Sequence, residues 1–258
     1  MSLKIVGGSS ISELLPSSGE VESHASLKVA EGTLQALKWI ALVAMAVDHT
    51  NKYAFREHLP FIFEIARSVL PIFAFVLAYN LARPGARASG VYGRTITRLA
   101  IAGLLSVPIA SVLNAPLVTK WPWWPLNVLF MFLIAIAVPV LWNKGGAGWR
   151  LLAGLIFVIG GALVEYFWFG IFCCWTSFMF CRRPNSVRFS VWALSVLLLT
   201  LVNGNLWALA SIPILLLAPK ISLVLPRSKW AFYVFYPAHL LVIWVVCGVI
   251  GLQGAVAH

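Results

Sequence analysis

Charge is what this 258-residue sequence has least of. Only 10% of its residues are Asp, Glu, Lys or Arg, against about 25% in a soluble domain. Eight residues are acidic, 61% are apolar and the mean hydropathy is +0.91. A chain this poor in charge cannot cover a water-facing surface, so the reading is an integral membrane protein. Cysteine is scarce as well. Cys173, Cys174, Cys181 and Cys247 stand in apolar context with no C-x-x-C spacing, and adjacent Cys173 and Cys174 are poorly placed to bridge each other. Neither a disulfide framework nor a zinc site is supported, no metal is expected, and the thiols read as small buried hydrophobes. The sequence also lacks a G-x-S-x-G elbow, a G-x-x-x-x-G-K-[ST] phosphate loop and a G-x-G-x-x-G turn. No histidine precedes an aspartate by five positions, the spacing of the phospholipid acyltransferase pattern. Trp39, Met45 and Phe73 to Phe75 read as packing or lipid contact.

What charge there is has one dominant sign, 19 Lys and Arg against 8 Asp and Glu, for a net +11. In a soluble protein this would suggest nucleic acid; here it reads as orientation, and no nucleic-acid partner is expected. Residues 1–33 have Gly, Ser and acidic residues but no continuous apolar core of a cleavable signal, so they read as a mobile cytoplasmic tail. Its end, from about Leu27, suggests a short interfacial helix with Leu27 and Leu34 on one side. Residues 34–250 read as an all-α transmembrane bundle and 251–258 as a short tail. Apolar windows predict helices over 34–55, 61–82, 95–113, 124–142, 150–166, 167–181, 187–202, 205–219 and 231–250, each near the roughly 20 residues that span hydrocarbon or somewhat shorter. Nine spans is the expectation, or eight if one tilted helix with a re-entrant piece replaces the pair in 150–181; Ser190 to Pro219 is similarly ambiguous. Twelve basic residues fall in the second, fourth, sixth and eighth connections, from Arg83 to Lys229, and three, Lys52, Arg56 and Lys120, in the alternate ones. Cytoplasmic loops retain Lys and Arg, so the N-terminus is placed inside and the C-terminus outside. Trp121, Trp123 and Trp124, broken by Pro122 and Pro125, fit an aromatic anchor at the outer surface.

Polar residues inside apolar helices are costly and are functional candidates by default. The first helix carries Asp48 and His49 about 11 residues beyond Lys38, some 16 Å along the axis and in its outer half. Adjacent helical residues point about 100° apart, so His49 needs partners from other helices; it shares a stripe with Met45 and Tyr53, while Asp48 faces Asn51 and Lys52. The bland alternative is an Asp48–Lys52 ion pair and a packing hydrogen bond from His49. Glu64, Arg67, Asn127, Glu165, Asn203 and Asn205 sit at matching depth and can converge on one outward-facing pocket, although Arg67 can instead snorkel beside Glu64 and Asn127 can simply cap its helix. His239 follows Pro237, whose missing donor loosens the last helix. Two intramembrane histidines, each needing a polar partner, are explained most economically by a shared cavity. In the cytoplasmic loop, Arg83, Arg87, Arg94 and Arg98 cluster, with Arg94 and Arg98 at i,i+4 and mutually repelling unless an anion intervenes. Anionic lipid headgroups or a phosphate-rich donor such as coenzyme A fit there.

LKWIALVAMAVDHTN, ARSVLPIFAFVLAYNLAR, TRLAIAGLLSVPIA, NVLFMFLIAIAV and FYPAHLLVI follow one another in order, and over about residues 37–250 the chain resembles the TraX family of conjugative-transfer proteins. The resemblance maps Asp48, His49, Arg67, Pro71, Asn127, Tyr236 and His239 onto the family pattern. It departs at Glu165 and Tyr166, because Phe167 stands where a glycine often follows the tyrosine. It implies an inner-membrane acetyltransferase that moves acetyl from acetyl-coenzyme A, a co-substrate, to the amino terminus of a pilin subunit before pilus assembly. His49 is then the expected base, Asp48 its electrostatic partner, Arg67 or Asn127 donors to the developing oxyanion, and His239 a second proton carrier. Glu165, Tyr166 and Tyr236 are the expected acceptor-side residues, and Arg83, Arg87, Arg94 and Arg98 the expected donor-phosphate residues. Because these arginines face the cytosol while Asp48 and His49 lie outward, an internal passage is expected between them. Two other readings stay open: acyl transfer to a sugar or lipid hydroxyl, and a non-enzymatic pilin-binding assembly factor in the membrane.

Overall fold

The computed structural model describes residues 27–117, 120–226, 228 and 230–249. Most of the expected tail, the expected C-terminal tail at 251–258, and Arg227 and Lys229 lie outside the described residues. Within them the chain is helical: α1 (Glu31–Tyr53), α2 (Pro60–Ala66), α3 (Val69–Ala82), α4 (Val91–Asn114), α5 (Val128–Trp142), α6 (Ala147–Leu163), α7 (Phe167–Arg182), α8 (Ser186–Leu198), α9 (Thr200–Asn203), α10 (Ser211–Leu217) and α11 (Ala231–Val249). Single 3₁₀ turns at Trp207–Ala210 and Ala218–Lys220 flank α10. Among the described residues the extended backbone pairs once, a parallel bridge between Leu126 and Val164. These elements group into nine helical segments matching the nine predicted windows. Four are long and apolar enough to cross a membrane, Pro60–Ala82, Val91–Asn114, Ser186–Asn203 and Ala231–Val249, and four more are shorter apolar helices.

The boundaries differ from the apolar windows where prolines and polar residues act. Leu27 to Ala30 are not helical, so the expected interfacial helix is instead the first turn of α1. The second window is interrupted at Arg67 and Ser68. Pro71 cannot donate to the Arg67 carbonyl four residues earlier, and its ring crowds that oxygen, so the ladder is interrupted there. The fourth window starts late, at Val128, because Pro122 and Trp123 turn, Pro125 bends the chain and Leu126 bridges Val164 before the Asn127 cap. The 205–219 window contains one short α-helix between 3₁₀ turns, because Pro213 and Pro219 each remove a ladder donor.

α3 is the central helix, packing along α7 and also against α1 and α10. Its residues from Val69 to Val76 are all buried, Ala74 and Phe75 completely. Phe75 meets Trp192 of α8, which stacks on Phe180 of α7 with ring centroids 5.2 Å apart. The outward faces are apolar as well, with Ile101, Leu104 and Leu105 on α4 and Leu151, Leu155, Val158 and Ile159 on α6 exposed. Apolar residues on both the inner and the outer faces suit a bundle whose solvent is hydrocarbon. Buried hydroxyls return their protons to main-chain carbonyls: Ser106 to Ala102, Ser177 to Cys173 and Ser211 to Ala208, at about 2.7 Å each.

Polar and charged groups gather at the helix ends. At one end, Arg83 after α3 pairs with Glu31 at the start of α1, and Arg98 of α4 lies over Trp230 just before α11. At the other end lie the C-termini of α1 and α4, the N-terminus of α5 and the α6–α7 turn, which share one cavity.

Candidate functional site

Three interruptions of regular helix deliver the polar groups. The break between α2 and α3 turns Arg67 toward α1, where its Nη2 meets Asp48 Oδ2 at 2.8 Å. Its Nε donates to the Phe63 carbonyl at 3.0 Å, and the guanidinium lies 4.1 Å from the Phe63 ring centroid. Arg67 therefore pairs with Asp48, whereas the sequence also allowed Arg67 with Glu64 and Asp48 with Lys52. Each side chain of the pair is 15% exposed. A 100° step along α1 turns the next residue elsewhere, as expected. His49 Nδ1 lies 2.6 Å from His239 Nε2, the two rings stacked with centroids 5.0 Å apart.

The protons on this pair follow from one main-chain oxygen. His239 Nδ1 is 2.9 Å from the Phe235 carbonyl, which can only accept, so Nδ1 carries the hydrogen. In neutral His239 the Nε2 atom is then a bare acceptor, and His49 must donate to it from Nδ1. Neutral His49 therefore keeps its Nε2 lone pair unprotonated. His239 thus fixes the orientation of the His49 ring and leaves a free lone pair on its Nε2.

His49 lines a cavity closed by Tyr53, Asn114, Pro122, Trp123, Asn127, Glu165 and Tyr236, among others. Its volume, measured as the room open to the centre of a water molecule, is about 20 Å³, enough for about one water. Asn127 caps α5, accepting from Leu129 N at 3.2 Å, and its amide donates to the Gly103 carbonyl at 3.1 Å. The cap reading of Asn127 is thus realised, and its amide nitrogen keeps one further N–H. At Gly103 an added Cβ would press on Phe130, so the glycine permits the close approach of α4 and α5.

Glu165 is placed by the Leu126–Val164 bridge: Leu126 N donates to the Leu163 carbonyl at 2.7 Å and Glu165 N to the Leu126 carbonyl at 2.9 Å. Its carboxyl faces the Val128 N–H at the start of α5, and Lys52 is the strongest cation acting on it. Negative charge is favoured at a helix N-terminus. The α6–α7 turn then passes through Tyr166 at φ +61° and Phe167 at φ +49°, both in the left-handed region. A glycine adopts that conformation without a Cβ clash, which accounts physically for the glycine in the family pattern at the Phe167 position. Tyr166 lies within electrostatic reach of Arg67, Glu165 and Asp48 behind the cavity wall.

A strap, Trp121 to Leu126, crosses the cavity. Asn114 ties it down, donating to the Pro122 carbonyl at 3.2 Å and accepting from the Tyr53 hydroxyl at 3.2 Å. Trp124 Nε1 donates to the Ala162 carbonyl at 3.2 Å. Trp121, Trp123 and Trp124 are exposed, as an interfacial anchor requires. The convergence expected of the outer polar residues is partial. His49, Asn127, Glu165 and Tyr236 line the cavity; His239 touches it through His49, the Asp48–Arg67 pair and Tyr166 stand within electrostatic reach of Glu165, and Glu64, Asn203 and Asn205 do not line it. Asn205 instead caps the Trp207 turn. Lys52, Tyr53 and Asn114 belong to the site and were absent from the sequence-based set of site residues; the signals for two of them were Lys52 one turn beyond Asp48 and Tyr53 one turn beyond His49.

At the opposite end of the bundle α1, α3, α4 and α11 enclose a groove of about 500 Å³. Of the four loop arginines, Arg94 and Arg98 line it. Arg83 is engaged by Glu31 at 2.6 Å, and Arg87 is exposed outside the groove. The groove and the His49 cavity are lined by different residues, and neither by itself joins the two ends of the bundle.

A family model described as TraX protein matches residues 33–247. No curated protein sequence matches the chain. No solved structure matches it either.

Proposed function

The chain belongs to the TraX family, and from that premise and the geometry of the His49 cavity we propose that it is an integral membrane acetyltransferase of conjugation, moving an acetyl group from acetyl-coenzyme A to the amino terminus of a pilin subunit. Family membership supports the role in conjugation. The observation that supports the chemistry is the hydrogen-bonded series from the Phe235 carbonyl through His239 to His49, which leaves a basic Nε2 on a residue lining an enclosed polar cavity.

Acetyl-coenzyme A, when bound, supplies the acyl thioester. His49 Nε2 takes the proton of the attacking amine while the new C–N bond forms and the C–S bond breaks, then returns that proton to the departing sulfur, so that an amide and a thiol result. A positioned base of this kind contributes about 10² to 10⁴ in rate. His239 holds the tautomer and accepts a hydrogen bond that strengthens when His49 becomes cationic. Glu165 presents an acceptor to the amine N–H groups. Asn127 offers its remaining N–H toward the carbonyl oxygen, where a fixed donor in a dry site is worth most. Arg67, bound to Asp48 and Phe63, braces α1 against α3.

We also propose nine spans with the N-terminus and the groove on the cytoplasmic side of the bacterial inner membrane, supported by twelve of the nineteen basic residues falling in the connections at that end. The deciding experiment supplies purified protein in lipid with labelled acetyl-coenzyme A and the pilin subunit, beside His49→Ala. Label on the pilin amino terminus with wild type alone is the expected result. Label on a sugar or lipid, or pilin bound by both proteins with label on neither, refutes it.

A further inference from the structure

The groove at the basic end is far larger than the His49 cavity, and no role has yet been given to most of the side chains around it. Its volume of about 500 Å³ falls within the usual range for small-molecule sites, about 300–1,000 Å³. Three cations line it, Lys38 of α1 and Arg94 and Arg98 of α4, with a single acid, Glu31. With three cations against one acid, the lining carries a positive excess. Deeper polar groups are small and neutral: Gln35 is 2% exposed and Thr95 8%. The remaining wall is largely apolar, with Leu77, Leu81 and Leu99 beside Phe73 and Phe232, whose ring centroids lie 4.9 Å apart. Arg98 is held in place by Trp230, its guanidinium 4.2 Å from the ring centroid.

A cationic mouth that grades into an apolar interior fits a ligand with a polyanionic phosphate head and a long, thin, weakly polar arm. The helices give the arm a direction. α1, α4 and α11 line both the groove and the His49 cavity. Lys38 and His49 are eleven residues apart on α1, roughly 16 Å at 1.5 Å per residue. Phe232 and His239 are seven residues apart on α11, two turns along the same face. The interior of the groove therefore points along the shared helix faces toward the histidine pair.

We propose that this groove is the acyl-donor site, in which Lys38, Arg94 and Arg98 hold the phosphates of coenzyme A and the thioester arm lies against Gln35, Thr95 and Phe232. The assignment rests on the acetyl-transfer reading above. It narrows the loop arginines to two and adds Lys38, Gln35 and Thr95. Arg83 and Arg87 take no part. The same chemistry occurs in anionic phospholipid, a phosphate beside an apolar chain, so the experiment separates the two sources.

Binding is measured by calorimetry, with coenzyme A titrated into the full chain in zwitterionic nanodiscs and pilin left out. Lys38→Gln, Arg94→Gln and Arg98→Gln each weaken binding about tenfold or more through the loss of a charge-assisted contact, while Arg87→Gln leaves it unchanged. Thermal unfolding of each variant verifies that it is folded. Unchanged binding in the folded triple variant overturns the assignment. So does an absence of coenzyme A binding in zwitterionic nanodiscs together with enrichment of phosphatidylglycerol by wild type over the triple variant. Groove-dependent coenzyme A binding without transfer to pilin supports the donor site and overturns the acceptor reading; transfer to pilin with binding insensitive to the groove variants does the reverse.

Discussion

Replacing His239 with Phe keeps the ring that stacks on Phe235 and packs edge-on against Tyr236, with centroids 5.3 and 5.4 Å away, and removes the Nε2 acceptor 2.6 Å from His49 together with the Nδ1–H that donates to the Phe235 carbonyl. His49 then has a buried Nδ1–H without a partner, a cost of about 1–3 kcal/mol, and the tautomer with its free Nε2 loses its support. If the cost is borne in full during transfer, kcat falls by about 5- to 150-fold. His49→Ala, which removes the base itself, costs about 10² to 10⁴. Because His239 acts through His49, the double variant should be no slower than His49→Ala alone. The change should fall on kcat and leave KM for the donor unaltered, since the groove is untouched. His239→Gln offers an oxygen near the position of Nε2 and should recover part of the loss. Initial rates of label transfer to a pilin peptide measure all four proteins. Losses that multiply in the double variant would show that the two histidines act separately, and the relay would be wrong.

The half-buried Asp48–Arg67 pair should be structural: Asp48→Asn or Arg67→Met should each cost about 3 kcal/mol by stranding the partner, and the double variant less than their sum, read from unfolding in detergent. Gly32→Ala places a Cβ on the Leu223 backbone carbonyl, so thermal stability should fall by about 1–3 kcal/mol as residues 221–226 are displaced; an unchanged unfolding temperature would mean that this strand of chain does not cross α1 there. Cysteines at Arg87 and Trp121 should react with an impermeant maleimide from opposite faces of the membrane, Arg87 from the cytoplasmic side; labelling from the same side refutes the alternation. Because the His49 cavity has room for about one water, the strap must lift for an acceptor to enter. Asn114→Ala, which removes one hydrogen bond to the strap and the one that ties Asn114 to Tyr53, at about 1 kcal/mol each, should speed alkylation of His49→Cys by roughly 5- to 30-fold, and an unchanged rate places the entrance elsewhere.

The histidine pair was legible in the sequence because the physics that brings it together is local and strong. Each ring in hydrocarbon needs a polar partner, and the 100° step between Asp48 and His49 meant that the two residues could not share one. That Arg67 is the partner of Asp48 was less visible, since helical spacing alone favours Glu64 at i,i+3; only the interruption before Pro71 turns Arg67 toward α1. Spacing also favoured Asp48 with Lys52, but Lys52 lies over the Tyr53 ring and also within electrostatic reach of Glu165, a residue 113 positions later that no local pattern connects to it. The groove escaped for a different reason. Gln35 and Thr95 are unremarkable single polar residues near helix ends, and only the packing of α1, α4 and α11 shows that they face one space. The 205–219 window looked continuous because hydropathy registers apolar side chains and is blind to the donors that Pro213 and Pro219 lack.

Backbone groups freed inside a bilayer must be satisfied within the protein, so irregular backbone is tolerated there only where it is buried or lines a cavity. That rule explains why the polar residues of this chain gather where its helices are interrupted. Arg67 sits at the α2–α3 break and returns Nε to the Phe63 carbonyl. Glu165 follows Val164, whose bridge to Leu126 satisfies the extended chain before α5. His239 lies just after Pro237 and spends its Nδ1–H on the Phe235 carbonyl. In each case a main-chain oxygen or amide, fixed by the surrounding helices, orients the functional side chain. The His49 ring is therefore aligned by the backbone of α11 acting through one intervening ring, an arrangement set during folding. A site oriented this way has little to reorganise during transfer, and the motion it still needs falls on the Trp121–Leu126 strap, which Asn114 and Trp124 hold from outside the histidine pair.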